Sequence, residues 1–436
     1  MWCTHWQALI ERMGIPTVAI VTDAFLEDAK ASALIEGMSL RNVVVAHPVT
    51  DTGESAVKKA KKAMDKLILG LTASLTEEEK KTGTFEHPKP PRIAVRGALE
   101  QVQEYYHKNY WTDGLPIIPP TEEAVKKMLT GTSHHPNEVV GVMAPEKWRA
   151  TVEGVAINGV MAGCKPEHMP VLLAMVEAFT KEPAFVTTVR STTSFSFMVL
   201  VNGPLAKKIG MNSGLGALGA GPFPNSAIGR ALRLCIINLG GSKIGINDMG
   251  AMGHPARFTF CLAENEEDSP WEPFHIGKGY KAQESTVTIF TGGWYLLSPG
   301  TLATIDPEVH LKNIVRELKA IQHTLGAVVV LTPLVAKQFS EKGLSKKDLQ
   351  KLLWEKATVT LGEWWQLEWI SGFLEKRVGA DFPAWYGDPN IPREKIVPLY
   401  PSADRISIIV AGKGSNPFHQ TWNMPYLSVA SVDKWK

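Results

Sequence analysis

Short β-branched runs recur along this chain between helix-patterned segments, and that alternation most narrows what it can become. Thr17 to Val21 and Asn42 to Ala46 come first, followed by the stretch SFSFMVLVNGP, then AVVVLTP and ISIIVAG. Apolar β-branched runs bounded by turn residues read as buried strands, and strands separated by helices form α/β units. The implied class is α/β: an incomplete N-terminal α/β unit followed by a larger mixed α/β region of two or three packed domains. Composition shifts place residues 1–75 in the first unit and the charged, proline-rich residues 76–94 in a linker. A central mixed domain then spans 95–290, and a C-terminal α/β domain spans 291–436.

The helical segments carry end signals. Thr4 and Gln7 have the spacing of a capping box, with Trp6, Leu9, Ile10 and Met13 on one face and Gly14 closing the helix. Helices follow over Asp23 to Glu36 and Glu54 to Leu71. Thr121 caps another, Thr151 to Gly163 has helical spacing with a glycine at its stop, and a further helix begins at Pro170. Asp306 caps a long amphipathic helix that Gly326 ends.

With 46 basic and 44 acidic residues the net charge is +2, and no long block of one sign occurs. A nucleic-acid binder or membrane-surface binder is therefore not implied. The four cysteines, Cys3, Cys164, Cys235 and Cys261, are far apart and form no CxxC pair, which argues for reduced thiols and a cytoplasmic protein. The sequence has no signal-peptide pattern and no apolar run of about 18 residues.

Cys3 stands just ahead of its predicted helix, where unpaired N–H groups and the helix dipole favour the thiolate. It is a candidate nucleophile, or else a frayed terminal residue. Thr4 beside it and His47 after the second strand are candidate substrate contacts. Cys164 sits in a predicted turn with His168 four residues on, a second possible thiol with a base nearby. That spacing also occurs in metal sites, but no second Cys/His pair accompanies it, so no metal is implied.

Gly214, Gly216 and Gly219 spell GxGxxG, yet no helix follows directly and no acidic residue appears before Asp248, so no dinucleotide cofactor is implied. The glycine run instead precedes Asn225 and Ser226, predicted caps of a helix carrying Arg230 and Arg233. It reads as a place for an anion or as a packing loop. Lys243, Asn247, Asp248, His254 and Arg257 could line the same cleft, with Asp248 and His254 as an acid/base pair or Asp248 as a turn residue. Cys235 and Cys261 read as core. His419, in the loop and strand after ISIIVAG, lies where open α/β sheets bind ligands.

CTHWQALIERMGIPTV, the VTDAF stretch and VVVAHPV together resemble the UGSC-motif family of selenocysteine or cysteine proteins, over about the first 50 residues. More distantly this segment is similar to the selenocysteine or cysteine subunits of glycine-type reductases. From residue 95 onward the chain resembles a large uncharacterised domain associated with such proteins, through TDGLPIIPPT, AINGVMAGCKPEHMP and NSAIGRALRL. The family motif is Sec/Cys-Gly-Ser-Cys after a strand; here only the last cysteine aligns, at Cys3, and Met1-Trp2 stand in place of Gly-Ser. A dithiol cycle would therefore need another thiol such as Cys164 against Cys3. The missing strand would have to come from ISIIVAG, from a partner subunit or from a longer chain.

The expectation is a cysteine-dependent enzyme that acts covalently on a small, anionic organic substrate. The alternatives are an acid/base lyase, hydratase or isomerase without a covalent thiol, and a non-catalytic subunit of a thiol or selenol enzyme. A homo-oligomer or a partner subunit is expected, with no nucleic acid, membrane or cofactor.

Overall fold

The structure, a computed structural model, describes residues 2–47, 53–77, 79–80, 91–181, 189, 194–250, 252–292, 294–297, 306–321, 326–366, 390–414 and 416–436. It is α/β, as the alternation implies.

The N-terminal unit runs α1 (Trp2–Glu11), β1 (Ala19–Thr22), α2 (Leu26–Ile35), β2 (Asn42–Val45) and α3 (Gly53–Thr72). The two strands pair in parallel, Ala19 opposite Asn42 through Thr22 opposite Val45. Ala19, Val21 and Ala29 cluster with Leu26 against them, and Ala8, Ala33, Val43 and Ala63 are the unit's other buried apolar residues among those described, all of them small. Ile20 is 48% and Val44 41% exposed, on opposite faces of the pair. Arg41 fastens the end of α3 by donating to the carbonyls of Gly70, Ala73 and Ser74 and to Glu79. Among the described residues the sheet has no third strand. ISIIVAG, one source considered for it, belongs to another sheet.

The central region holds α4 (Leu99–Lys108), α5 (Glu122–Leu129), a hairpin of β3 (Val139–Met143) and β4 (Trp148–Thr151), α6 (Val152–Ala162) and α7 (Met169–Thr180). Then come β5 (Ser196–Asn202), the short α8 (Pro204–Lys208), α9 (Phe223–Asn238), β6 (Cys261–Ala263) and β7 (Thr286–Gly292). Thr121 and Thr151 cap α5 and α6 by accepting from Ala124 and Gly154 N–H groups, and Gly163 ends α6 at φ 89°. The C-terminal region adds β8 (Trp294–Leu297), α10 (Pro307–Ala320), β9 (Ala327–Leu331), α11 (Pro333–Glu341), α12 (Lys346–Lys356), β10 (Thr358–Thr360), α13 (Leu361–Gln366), β11 (Ile396–Pro398), β12 (Ile406–Val410), β13 (His419–Asn423) and β14 (Tyr426–Ser431).

These strands form two four-stranded mixed sheets, β14-β7-β5-β6 and β12-β9-β13-β8. Alternate residues of each strand face opposite ways. Val199 and Val201 of β5 lie under α6, α7 and α9, while Met198 and Leu200 face the second sheet. In β9, Val329 and Leu331 lie under α10 and α11, and Val328 and Val330 join Met198, Leu200, Phe290 and Ile409 between the sheets. The result is four layers, helices–sheet–sheet–helices. Both faces of each central strand are buried, which explains the unbroken apolar runs.

The boundary expected at 290 falls inside β7, and β14 returns from beyond it as the edge strand beside β7. Trp435 then donates to Glu177 on α7, and Thr132 donates to the Trp435 carbonyl. Residues 95–290 are thus closed by residues 426–435.

Candidate functional site

A pocket opens where α9 crosses the start of β5. Gly229, Leu232, Arg233 and Ile236 line it from one face of α9, at the i, i+3, i+4, i+7 spacing of a helical stripe. Phe195, Phe197, Ala256, Arg257 and Val189 complete the wall around a cavity of about 20 Å³ that opens to solvent. Gly229 sets the approach. A Cβ there would lie 2.4 Å from Thr259 Oγ1 and 2.9 Å from the Phe260 nitrogen, so the glycine lets α9 sit tight against β6.

Two guanidinium groups meet one carboxylate in this wall. Arg257 donates from Nη1 to Asp248 Oδ2 at 2.8 Å and from Nε to the Phe195 carbonyl at 2.9 Å; Arg233 Nη2 lies 3.5 Å from the same Asp248 oxygen. Asp248 is 1% exposed and also accepts from Ser242 and the Gly250 N–H. Burial pushes the Arg233 guanidinium below the usual arginine value; Asp248 opposes that shift and Arg257 adds to it. Among the described residues the cluster carries one uncompensated positive charge in a largely apolar wall. Asp113, the next carboxylate Arg233 feels, is already held by Arg230.

His254 caps the short 3₁₀ turn Pro255–Arg257 and accepts the Ala256 N–H at Nδ1, 3.1 Å away. With that lone pair engaged, the neutral ring carries its proton on Nε2. Burial, then the charge of Arg257, push its pKa down, so it is neutral at pH 7. Asp248 and His254 therefore come to one region, but Asp248 serves the arginines and no hydrogen bond links it to His254.

The other candidates have different places. Cys164 packs its side chain on the core, and burial, followed by the neighbouring Cys235 and Cys261, pushes its thiol well above the usual range. His168 is 1% exposed and accepts the Lys165 N–H at Nδ1. Among the described residues no hydrogen bond joins Cys164 to His168, so the expected thiol activation is absent there. Cys3 is exposed inside the first turn of α1, not ahead of it. Thr4 and Gln7 are helix-interior and buried rather than a capping box, because α1 starts at Trp2; Gln7 instead donates to the Arg41 carbonyl. His5 and Arg12 tie α1 to Glu36, whereas His47 bonds Thr22 and Asp23 at the carboxyl ends of the strands. No hydrogen bond links Cys3 to His47 or to Cys164.

Asn225 is not a cap either: α9 begins at Phe223, and the buried Asn225 amide bonds both the N–H and the carbonyl of Asn212 and the carbonyl of Ala217. It thereby holds the loop containing Gly214 and Gly216 closed as a packing loop. The Ser226 carbonyl accepts from Thr259, and Lys243 contributes backbone to the turn that presents Asp248. Arg230 is bidentate to Asp113 at 2.9 Å and also donates to Leu115 and Pro116 carbonyls, so it pins the TDGLPIIPP loop instead of meeting a ligand.

His419 lies in the second sheet, 1% exposed, with Nε2 3.1 Å from Glu317 and Nδ1 3.2 Å from His310 Nδ1. Thr421 donates to the other Glu317 oxygen. Sequence reading missed His310 and Glu317 because they sit on α10, about a hundred residues from β13. It also missed Phe195 and Phe197, which read only as strand residues.

Among the described residues no helix is long and apolar enough to cross a membrane, and no group of three His, Cys, Asp or Glu could hold a metal ion. Comparison with curated proteins and with solved structures finds no match. The family model for UGSC matches residues 2–73, the N-terminal α/β unit with Cys3 in its first helix.

Proposed function

We propose that this protein is an enzyme acting on a small organic anion by acid/base chemistry of the lyase, hydratase or isomerase kind. The anion lies between Arg233 and Arg257. The observation that carries this reading is that, among the described residues, the buried Arg233 and the largely buried Arg257 face the single carboxylate of Asp248, a charge that an incoming anion neutralises. His254, neutral with its proton on Nε2, serves as the hydrogen-bond or proton donor beside it. Asp248, paired to both arginines, orients them and does not act as the base.

Turnover of a panel of small carboxylic acids, measured for the wild type and His254→Gln, tests this. Turnover by the wild type that drops about a hundredfold or more in His254→Gln is the expected result; equal turnover removes His254 from the mechanism.

A second reading rests on Cys3, the exposed one of the four thiols. It predicts that Cys3→Ser abolishes turnover and that iodoacetamide labels Cys3 in the native protein ahead of Cys164, Cys235 and Cys261. Unchanged turnover in Cys3→Ser leaves the acid/base reading alone.

A further inference from the structure

Away from the pocket, three consecutive residues between α5 and β3 grip the main chain that follows β14. Thr132 and Ser133 donate their hydroxyls to the main-chain oxygens of Trp435 and Lys436, at 2.8 Å and 2.7 Å. The His134 ring takes a third oxygen, the Lys434 carbonyl, 2.8 Å from Nε2, and lies 4.6 Å from the Trp435 ring between centroids. Its other nitrogen, Nδ1, faces the Glu138 carboxylate, 3.0 Å and 2.9 Å from the two oxygens.

We propose that His134 is a proton-operated latch: with both ring nitrogens protonated it fastens residues 433–436, and with them the end of β14, and on losing a proton it loosens them. The donor count requires the charge. A carbonyl and a carboxylate only accept, so an imidazolium alone makes both bonds at once, and a neutral ring leaves a lone pair against one of the two acceptors. Burial works against that charge, but the Glu138 and Lys434 hydrogen bonds outweigh it and hold the His134 pKa above the ordinary 6.5. The opposing cation, the Lys434 ammonium, is drawn to Glu177 at 3.3 Å, and the Lys436 ammonium pairs with Asp433.

What the latch holds is the closure of the first sheet. From the fastened turn Trp435 donates to Glu177 of α7 at 2.7 Å, and Asp433 accepts the Ser285 N–H at 2.9 Å, one residue before β7. β14 is an edge strand with β7 as its one neighbour, so this turn anchors its end beyond the ladder itself. With the folded pKa raised, the ring's contribution is complete below 6.5 and is lost as pH rises through the higher folded value. The latch is closed in mildly acidic solution and opens in alkaline solution.

Hydrogen exchange of the full chain between about pH 6 and about pH 9, corrected for the intrinsic exchange rate, tests this beside an NMR titration of the His134 ring. Protection of residues 426–435 should fall roughly fivefold across that range in the wild type, the loss of about one hydrogen bond, and should stay level in His134→Gln. The ring should titrate above 6.5, and Glu138→Gln should move its midpoint down. Equal pH dependence of protection in the wild type and His134→Gln overturns the latch. A wild-type ring that titrates at or below 6.5 overturns it as well, and that measurement stands even where His134→Gln does not fold.

Discussion

Val43 to Val45 and Val328 to Val330 are the same three residues in a row, and the protein treats them differently. In β9 all three are at most 3% exposed, with helices under one face and a second sheet over the other. In β2, Val43 is buried while Val44 is 41% exposed, because among the described residues the cover over that face reaches its neighbour Val21 but stops short of Val44. A valine run therefore specifies a strand but not a buried one. The second face depends on what the rest of the chain delivers. The region that the UGSC model matches has the thinner core, and the buried charges of the candidate site lie in the region with the thick one.

Truncation at the two places should separate them most. Leu200→Ala opens a hole between the sheets and should cost about 2–5 kcal/mol, whereas Val44→Ala should change stability by no more than about 0.5 kcal/mol. Urea unfolding of each variant measures this; similar losses would mean that β2 is covered on both faces in solution.

A smaller contrast is expected between two threonines. Thr151 caps α6 through its hydroxyl, so Thr151→Ala should lose about 1 kcal/mol. Thr4 is fully buried in α1 with its hydroxyl unbonded, so Thr4→Ala should cost less than Thr151→Ala. A reversed order in thermal unfolding would restore Thr4 as a working cap.

Protonation should give the smallest effect. Burial lowers the pKa of His168 and His254 below the ordinary 6.5. As pH falls through that value the unfolded chain takes up a proton on each ring and the folded chain does not. Their stability contribution is complete above 6.5 and is lost as pH drops towards the lower folded values. The wild type should lose more stability between about pH 7.5 and about pH 5.5 than a His168→Gln/His254→Gln variant does. Equal losses would show that neither ring is held neutral by burial.

Much of the local structure was legible from residues a few positions apart. Thr121, Gly163 and Asp306 mark helix ends with short-range chemistry, and each does so in the structure. The same reasoning failed at Thr4 and Asn225, since a small polar residue near a helix start looks alike whether it caps the helix or sits inside its first turns. The site was legible only in its parts. Arg233, Asp248 and Arg257 stood out as polar groups near a glycine run, yet their union depends on α9 lying close to β6 through Gly229. Arg230, one turn earlier on the same helix, meets Asp113, and no spacing rule distinguishes its fate from that of Arg233.

The return of β14 to the edge of β7 has a consequence during synthesis. Ser285 bonds the Asp433 carboxylate across 148 positions, so at typical translation rates β7 waits on the order of ten seconds for its neighbour. Throughout that interval a ribosome-bound chain presents a β-branched strand with an unpaired edge, a form prone to join another chain. Until residue 431 has emerged, that edge stays open to pairing with another chain.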